Sequence, residues 1–417
     1  IDKLAETGAK LEEFYVQPMC TPTRAAFMSG RYPFRYGLQT GVIPSGGLYG
    51  LPTDEFILPQ VLKDAGYSTS IVGKWHIGHA DQKFWPRQRG FDYQYGPLIG
   101  EIDHFKHTSH GVSDWYKNNE ALQGEGYDTE LFAKDAIRIL NEQDGSKPFF
   151  LYLAFTAPHS PYQAPQSYLD SYANIADEGR RAYAAQITAM DDQIGNVIAA
   201  LEAKGLRDNT LVLFVSDNGG TRSKMFAGEA AVAGDLPPNN GPYREGKGTT
   251  YEGGTRVVAL ANWPGHVKAG VVNEMLHVVD MLPTFAALAG GSTDKTKPLD
   301  GTNVWQTLSE GGASPRDEIV YNIEPTGGAV RQGNLKLVWS ALLPQRVELF
   351  DIEKDPSEKT NIADANPEAV AKLKARIEGL AAEAEPPKFL MESLRLALSI
   401  PPALPGVSAG VEAHEQD

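Results

Sequence analysis

The sequence has only one cysteine, Cys20, among 417 residues. No disulfide can form within the chain, so cysteine usage says little about the redox compartment of the protein. The sequence also has no uninterrupted apolar stretch near the roughly 20 residues that a membrane-spanning helix needs. Basic residues are scarce, with 38 Lys and Arg against 53 Asp and Glu, and the net charge is −15. This balance argues against nucleic acid or an anionic membrane as a general partner.

The chain is too long for one ordinary core, and 41 % of its residues are hydrophobic. Continuous apolar runs at 149–155 and 211–215 predict strands that are buried on both faces of an α/β sheet. Hairpin-like alternation begins near residue 316. We therefore expect a large α/β domain at 1–315, a smaller C-terminal α+β domain at 316–400 and a flexible tail at 401–417.

Other segments have weaker local signals. Apolar residues at helical spacing predict a long helix at 177–204 and a shorter one at 277–288, interrupted near Pro283. Residues 255–262 predict a strand. The Gly-, Pro- and Asn-rich stretch 221–248 predicts a long loop near a functional site.

Polar residues directly follow three predicted strands. The strands are 67–72, 149–155 and 211–215, and the residues after them are Lys74, His76, His159, Asp217 and Asn218. Lys74 and His76 are two residues apart, so on an extended segment they point to the same side. Open α/β sheets bind ligands at the carboxyl ends of their strands, so we expect these side chains to share one site.

Cys20 lies in the segment Pro-Met-Cys-Thr-Pro-Thr-Arg at 18–24. Pro22 favours the first turn of a helix, and the residues after it continue that helix well. Backbone N–H groups and Arg24 would then cradle an anion near the thiol. Taken alone, a lone cysteine is more often a small buried apolar residue.

The pattern Cys-x-Pro-x-Arg followed by Ser-Gly-Arg at 29–31 resembles the signature of the type I sulfatases of the alkaline phosphatase superfamily. Further stretches resemble that family in the same order, namely GKWHIG at 73–78, APHSP at 157–161, SDNGG at 216–220 and YEGGTR at 251–256. The sequence is most similar to the arylsulfatase B branch, the N-acetylgalactosamine-4-sulfatases, and its bacterial relatives. The resemblance implies an alkaline-phosphatase-like mixed sheet sandwiched by helices, with a smaller C-terminal α+β domain that contains an antiparallel sheet.

The resemblance also implies roles for individual residues. Cys20 would be oxidised to formylglycine by a formylglycine-generating enzyme, and the aldehyde hydrate would be the nucleophile. The other implied catalytic residues are Arg24, Lys74, His76, His159 and Lys247. Among them Lys74, His159 and Lys247 would contact the sulfate, and His76 would be the base that releases it. The proton donor to the leaving group stays open between His159 and Lys247.

Asp217 and Asn218 offer only oxygen donors, which favours Ca²⁺ first and Mg²⁺ second. An Asx turn after the strand is the structural alternative. In the family, an apolar strand that ends in an Asp-Asp pair supplies two further ligands. The printed chain does not contain this strand, and we expect metal affinity to depend on it because two ligands cannot complete a calcium site.

Contacts to the rest of the substrate are predicted from the loop 100–110 and from nearby residues. The candidates are Glu101, Asp103, His104, His107, Gln163, Arg222 and Lys224. Zinc binding by the histidines at 104, 107 and 110 is disfavoured, because their spacing in a Gly- and Ser-flanked loop is a poor metal geometry.

The resemblance implies a sulfated oligosaccharide or polysaccharide, such as a galactosaminoglycan 4-sulfate or an algal galactan, and an exported protein, periplasmic or extracellular. Two other functions stay open. Relatives in the superfamily hydrolyse phosphodiesters or phosphonate monoesters with the same nucleophile motif. A non-catalytic carbohydrate-binding relative is the third alternative.

Overall fold

The computed structural model describes residues 1–226 and 235–398. The tail predicted for 401–417 lies outside the described residues. The helices are α1 Asp2–Glu6, α2 Cys20–Ser29, α3 Leu58–Asp64, α4 Asp128–Asn141, α5 Gln166–Asp170, α6 Glu178–Ala203, α7 Glu252–Thr255, α8 Met281–Leu288, α9 Trp305–Glu310, α10 Pro367–Ala382 and α11 Lys388–Ala397. The strands are β1 Ala9–Leu11, β2 Phe14–Tyr15, β3 Ser68–Gly73, β4 Tyr93–Gly96, β5 Thr108–Ser109, β6 Val112–Ser113, β7 Tyr116–Lys117, β8 Glu120–Ala121, β9 Phe149–Ala154, β10 Val212–Val215, β11 Ala259–Asn262, β12 Gly270–Val272, β13 Leu276–His277, β14 Glu318–Glu324, β15 Gly327–Gln332, β16 Leu335–Ser340 and β17 Arg346–Asp351.

Two mixed sheets form the centre of the large domain. The first has the order β8-β7-β4-β3-β9, in which β3 is parallel to both β4 and β9. The second has the order β10-β11-β1-β12, in which β1 is parallel to β12 and antiparallel to β11. Among the described residues, β9 and β10 are therefore edge strands. Both border the same cavity of about 920 Å³.

This cavity explains a difference from the predicted burial of the two strands. The apolar runs do form strands, but all four residues of β10 and five of the six in β9 are only half-buried. A strand is fully buried only when neighbours cover both of its faces and both of its edges. Here each strand has a neighbour on one edge and the cavity on the other.

The helices pack on the sheets in separate apolar clusters. Residues of α4 and α6, including Ala136, Leu140, Val197 and Leu201, form one cluster that also contacts β9 and β10. Residues of α2, α3 and α8 belong to the main core. α6 confirms the long helix predicted at 177–204. Within the described residues, no helix has the length and apolar character needed to cross a membrane.

The C-terminal part contains a four-stranded antiparallel sheet with the order β14-β15-β16-β17. α10 covers it with Leu373, Ile377 and Leu380, and these side chains belong to the main core. The strands predicted beyond residue 316 are thus present.

Two local predictions need correction. Residues 277–288 form a 3₁₀ turn at Val278–Asp280 and then α8, which Pro283 does not interrupt because it lies in the first turn, where the N–H has no helical partner. The strand predicted at 255–262 is limited to Ala259–Asn262, since the Gly-Gly segment before it forms α7.

Candidate active site

Cys20 is the first residue of α2. Met19 before it is extended, with φ −147° and ψ 162°, so the chain turns into the helix at the cysteine. Cys20 is 2 % exposed, and its thiol donates to Asn218 Oδ1 at 3.3 Å. The hydroxyl of Thr21 donates to the carbonyl oxygen of His76 at 2.8 Å. The start of α2 is thus connected to the segments that follow β10 and β3.

Arg24 lies one turn along α2 and joins three parts of the site. Its Nε and Nη2 donate to Asp217 Oδ2 at 2.9 and 2.8 Å. Its Nη1 donates to the carbonyl oxygen of Lys74 at 2.8 Å and to the Tyr152 hydroxyl at 3.3 Å. This guanidinium fixes the ends of β3, β9 and β10 relative to the cysteine.

Asp217 is the carboxylate that lies between the cations Arg24 and Lys74. Lys74 Nζ lies 4.0 Å from Asp217 Oδ2, and Lys74 is 2 % exposed. Burial alone would raise the pKa of Asp217, but the charges of Arg24 and Lys74 outweigh burial and hold the pKa well below its usual range. Burial lowers the pKa of Lys74. Because its own pKa is held so low, Asp217 is charged at neutral pH.

His159 and Lys247 form a hydrogen-bonded pair. Lys247 Nζ lies 3.1 Å from His159 Nε2, and His159 Nδ1 lies 2.8 Å from the carbonyl oxygen of Ser160. Burial and the nearby charges of Lys247 and Lys74 hold the pKa of His159 well below its usual range. The neutral ring thus donates a hydrogen bond from Nδ1 to the Ser160 carbonyl oxygen, and Nε2 accepts a hydrogen bond from Lys247 Nζ. The residue after Lys247 donates its N–H to the carbonyl oxygen of Pro18 at 2.8 Å, which ties this loop to the start of α2.

His76 has a strained backbone. Its φ of 61° lies in the left-handed region, which costs on the order of 1–3 kcal/mol for such a residue and is concentrated at functional sites. His76 Nε2 lies 3.2 Å from the Ile43 carbonyl oxygen, and Nδ1 has no partner among the described residues. Gly100 packs on the ring so closely that a Cβ there would lie 2.0 Å from His76 Cε1. Burial, then the charge of Lys74, lowers the pKa of His76 well below its usual range.

The cavity of about 920 Å³ opens over this cluster. The candidate residues that line it are Arg24, Lys74, His159, Asp217, Asn218 and Lys247. Cys20 and His76 are not among its described lining residues. The thiol of Cys20 contacts Asn218, which does line the cavity. The structure therefore brings together side chains from segments that are distant in the sequence.

The described residues contain only part of a binding site for the calcium ion that the resemblance implies. Asp217 and Asn218 offer three side-chain oxygens, and one of them, Asp217 Oδ2, also accepts from Arg24. Within residues 1–226 and 235–398, no three His, Cys, Asp or Glu side chains gather as a metal centre. Since Ca²⁺ takes 6–8 oxygen ligands, these two side chains do not suffice to hold it.

A second, smaller cavity of about 250 Å³, called the outer pocket here, lies between the 100–110 loop and the segment just after His159. Glu101, Asp103 and Gln163 line it. Gln163 Nε2 donates to Asp103 Oδ2 at 2.9 Å. Glu101 Oε1 accepts from the hydroxyl of Ser160 at 3.3 Å, and burial raises the pKa of Glu101.

Two histidines of the 100–110 loop lie elsewhere than in the outer pocket expected for them. His104 is fully buried, and its ring contacts Asp128 at 2.9 Å and the carbonyl oxygen of His159 at 3.1 Å. His107 is 1 % exposed and stacks on Trp115, with the ring centroids 4.0 Å apart. The side chains of Arg222 and Lys224, the other outer candidates, are exposed.

The sequence analysis missed several residues around the site. Tyr152 lies inside an apolar run, where nothing marks its hydroxyl as a partner of Arg24. Asp128 has the usual features of an acidic residue in a first helical turn. Gln186 lies in the middle of α6, and only the helical phase of its neighbours Ala185, Ala189 and Met190, all buried, could have indicated that it faces inward.

The site is a basic pocket at the carboxyl ends of β3, β9 and β10, with a cysteine at a helix start, and it suits a bound anion. The chain belongs to the sulfatase family: the model of the family described as Sulfatase matches residues 1–292. A second model, described as N-sulphoglucosamine sulphohydrolase, C-terminal, matches residues 246–383. The predicted family and the alkaline-phosphatase-like fold are confirmed.

Several sulfatases are similar to this chain. Arylsulfatase J of Mus musculus is 40 % identical over 350 residues, which cover 82 % of this chain and 56 % of that protein. N-acetylgalactosamine-6-sulfatase of Homo sapiens is 35 % identical, covering 77 % of this chain and 63 % of that protein. The chain thus spans less than two thirds of these relatives. The crystal structure of Ps i-CgsB in complex with k-i-k-neocarrahexaose aligns with a TM-score of 0.85 and 31 % identity, covering 96 % of this chain and 91 % of that chain.

Proposed function

We propose that this protein hydrolyses sulfate esters of a sulfated saccharide, with the nucleophile derived from Cys20. The observation that carries the proposal is the convergence of Arg24, Lys74 and Lys247 around the start of α2, where the cysteine lies. The protein as a whole has a net charge of −15. The attraction for a sulfate group is therefore local, and a buried pocket strengthens it because the dielectric constant there is low.

The proposed nucleophile is formylglycine at position 20. Its hydrate would supply one hydroxyl that attacks sulfur and a second whose deprotonation releases sulfate, whereas a thiol would leave a covalent adduct with no easy exit. Arg24 fixes residue 20 relative to the pocket, and Lys74 binds a sulfate oxygen. His76 is proposed as the base of the release step. The neutral ring and unpartnered Nδ1 of His76 support this role.

Lys247 and His159 are proposed to act together as the proton donor. The alcohol leaves as an alkoxide unless a proton reaches its oxygen as the S–O bond breaks. The neutral His159 accepts from the charged Lys247 at 3.1 Å. The only ring proton of neutral His159 is on Nδ1 and is donated to the Ser160 carbonyl oxygen, so the proton for the leaving oxygen comes from the Lys247 ammonium group, and His159 orients that group through Nε2. The proposal therefore takes Lys247, of the two candidates that the sequence left open, as the group that gives the proton, with His159 as its partner.

The metal is proposed to be Ca²⁺, with Mg²⁺ second, held by Asp217 and Asn218 together with oxygen ligands beyond the described residues. The edges of β9 and β10 border the same cavity, whose lining along these two strands is mostly apolar, and β9 has six residues. We propose that an extended apolar segment fits between these edges and presents acidic residues beside Asp217. Unpaired strand edges readily accept such a segment.

A synthetic peptide of six Val and Ile residues that ends in Asp-Asp tests this proposal. It should raise the melting temperature of the chain in the presence of Ca²⁺. A peptide that ends in Asn-Asn is the matched control and should lose the Ca²⁺-dependent part of the shift. Equal shifts from both peptides would contradict the proposed metal site.

A saccharide substrate is supported by the outer pocket and by the relatives. Carboxylates and amides such as Glu101, Asp103 and Gln163 are suited to hydrogen bonding with sugar hydroxyls. The solved structure of Ps i-CgsB holds a neocarrahexaose, and one relative is named as an N-acetylgalactosamine-6-sulfatase. We also propose an exported protein, periplasmic or extracellular, because a sulfated polysaccharide is a substrate met outside the cytoplasm.

The test is to co-express the chain with a formylglycine-generating enzyme and to assay it, with Ca²⁺, on an aryl sulfate and on an aryl phosphodiester. The proposal expects the sulfate to be hydrolysed faster. A preference for the phosphodiester would make the protein a phosphodiester hydrolase instead. An unconverted Cys20, inactivity on both substrates and retained binding of sulfated saccharide would identify a non-catalytic carbohydrate-binding protein.

A further inference from the structure

Four buried polar side chains lie directly behind the loop that carries His159. Their exposed fractions are 0 % for His104, Asp128 and Gln186 and 5 % for Thr156. They come from the 100–110 loop, the start of α4, the middle of α6 and the end of β9. Burying such groups is costly unless each is hydrogen-bonded, so a cluster of this kind needs a reason.

Two members of the cluster contact one atom, the carbonyl oxygen of His159. His104 Nε2 lies 3.1 Å from it, and Gln186 Nε2 donates to it at 3.3 Å. Gln186 Nε2 also donates to the Pro161 carbonyl oxygen at 3.2 Å. The backbone of this loop is therefore held from behind on both sides of Ser160.

His104 is itself fixed by Asp128. Nδ1 of the ring lies 2.9 Å from Asp128 Oδ2, which also accepts from the Thr156 hydroxyl, and the Asp128 backbone N–H donates to the His104 carbonyl oxygen at 2.9 Å. The second Asp128 oxygen accepts from Thr129 at 3.1 Å. Burial lowers the pKa of His104, but the Asp128 carboxylate outweighs burial, and the pKa lies above its usual value.

We infer that His104, which is held by Asp128 at Nδ1 and contacted by Gln186 Nε2 at 3.0 Å from its own Nε2, is a positioning residue for His159. It sets the distance between the His159 ring and Lys247, and with it the delivery of a proton to the leaving group. His104 touches no substrate, because it is fully buried. This inference rests on the proposed function.

The test compares two aryl sulfates that differ only in leaving-group basicity, 4-nitrophenyl sulfate and phenyl sulfate. A weakly basic leaving group needs little proton transfer, whereas phenoxide needs much more. The variant His104→Leu should lower kcat/KM about 100-fold for phenyl sulfate, as expected for a misplaced catalytic group, and much less for 4-nitrophenyl sulfate. His104→Gln, which can donate from nearly the same place as Nε2, should recover most of the loss.

If His104→Leu fails to fold, Gln186→Leu and its matched control Gln94→Leu still test the inference. Gln94 is also buried, its amide donates to the Gly96 carbonyl oxygen at 3.0 Å, and its Oε1, like that of Gln186, has no partner among the described residues. Gln186→Leu should show the leaving-group dependence and Gln94→Leu should not. Equal losses on both sulfates in the Gln186→Leu variant, or no recovery by His104→Gln, would overturn the inference.

A wild-type protein without sulfatase activity would refute the proposed function but not the positioning. In that case NMR of the protein with ¹³C-labelled histidine tests the positioning. The His159 signal is identified as the one that disappears in His159→Asn. The His159 signal should shift in His104→Leu and in Gln186→Leu, and stay in place in Gln94→Leu. An unchanged signal in the first two variants would overturn the inference independently of activity.

Discussion

Two clusters of buried charged side chains in this protein differ in their balance of cations and carboxylates and in whether they open into a cavity. The site cluster consists of Arg24, Lys74, Lys247 and Asp217, with three cations for one carboxylate. The sheet cluster consists of Lys336, Glu252 and Glu358. Lys336 Nζ lies 2.9 Å from Glu252 Oε1 and 2.8 Å from Glu358 Oε1, and all three side chains are fully buried.

The sheet cluster is closed, and its two carboxylates face two cations, since Arg256 Nη1 also lies 3.6 Å from Glu252 Oε2. The hydroxyls of Tyr15 and Tyr321 donate to Glu252 at 2.8 and 2.9 Å, and none of these residues lines the large cavity. The cluster joins the C-terminal sheet to α7, shortly after the loop of Lys247. The site cluster instead has surplus positive charge and opens into a cavity. Surplus charge beside open space favours a ligand of the opposite sign, whereas matched charge without space favours stability.

The largest expected effect is at the cysteine. Cys20→Ala removes the nucleophile and leaves both clusters intact, so kcat on an aryl sulfate should fall by more than about 1,000-fold. The melting temperature should stay near that of the wild type. Retention of most of the activity by this variant would exclude residue 20 as the nucleophile.

Matched lysine substitutions test the comparison itself. Lys336→Met leaves buried Glu358 without its cation partner and Glu252 with Arg256 alone, so it should lower the free energy of unfolding by about 3–5 kcal/mol. Lys74→Met removes surplus charge, so it should leave stability nearly unchanged but lower kcat/KM by about 100-fold or more. Urea unfolding and kinetics on both variants are the measurements. Similar stability losses in the two variants would remove the distinction between the clusters.

The smallest expected effect is in the pH dependence of stability. The pKa of Asp217 is lowered in the folded protein, so its contribution is complete above the unfolded pKa of about 3.9 and is lost as pH falls below that value. Asp217→Asn should therefore flatten the acid limb of a plot of melting temperature against pH.

Asp114 provides the control of opposite sign. Burial raises the pKa of Asp114 to about 6. Its folded form binds a proton more tightly than the unfolded chain, so stability falls as pH rises from about 4 to 6. Asp114→Asn should remove that decline and leave the acid limb unchanged. A flattened acid limb in Asp114→Asn and not in Asp217→Asn would contradict the roles given to the two carboxylates.

Local sequence signals predicted what depends on neighbours along the chain. The helix start at Cys20 and the strand ends before Lys74, His159 and Asp217 are in the predicted places, because proline position and apolar runs determine them. The burial of His104 could not be predicted in this way, since it results from α4 and α6 packing behind the 100–110 loop. The half-burial of β9 and β10 likewise depends on what lies beside them and not on their own residues.

The most direct test of the central claim is to measure aryl sulfatase activity against the fraction of Cys20 converted to formylglycine. Preparations with different degrees of conversion are obtained by varying the co-expressed formylglycine-generating enzyme, and the fraction is read from the intact mass. Activity per mole should rise in proportion to the converted fraction, from zero in unconverted protein. Activity that is independent of conversion, or absent from fully converted protein that has bound Ca²⁺, would contradict the account.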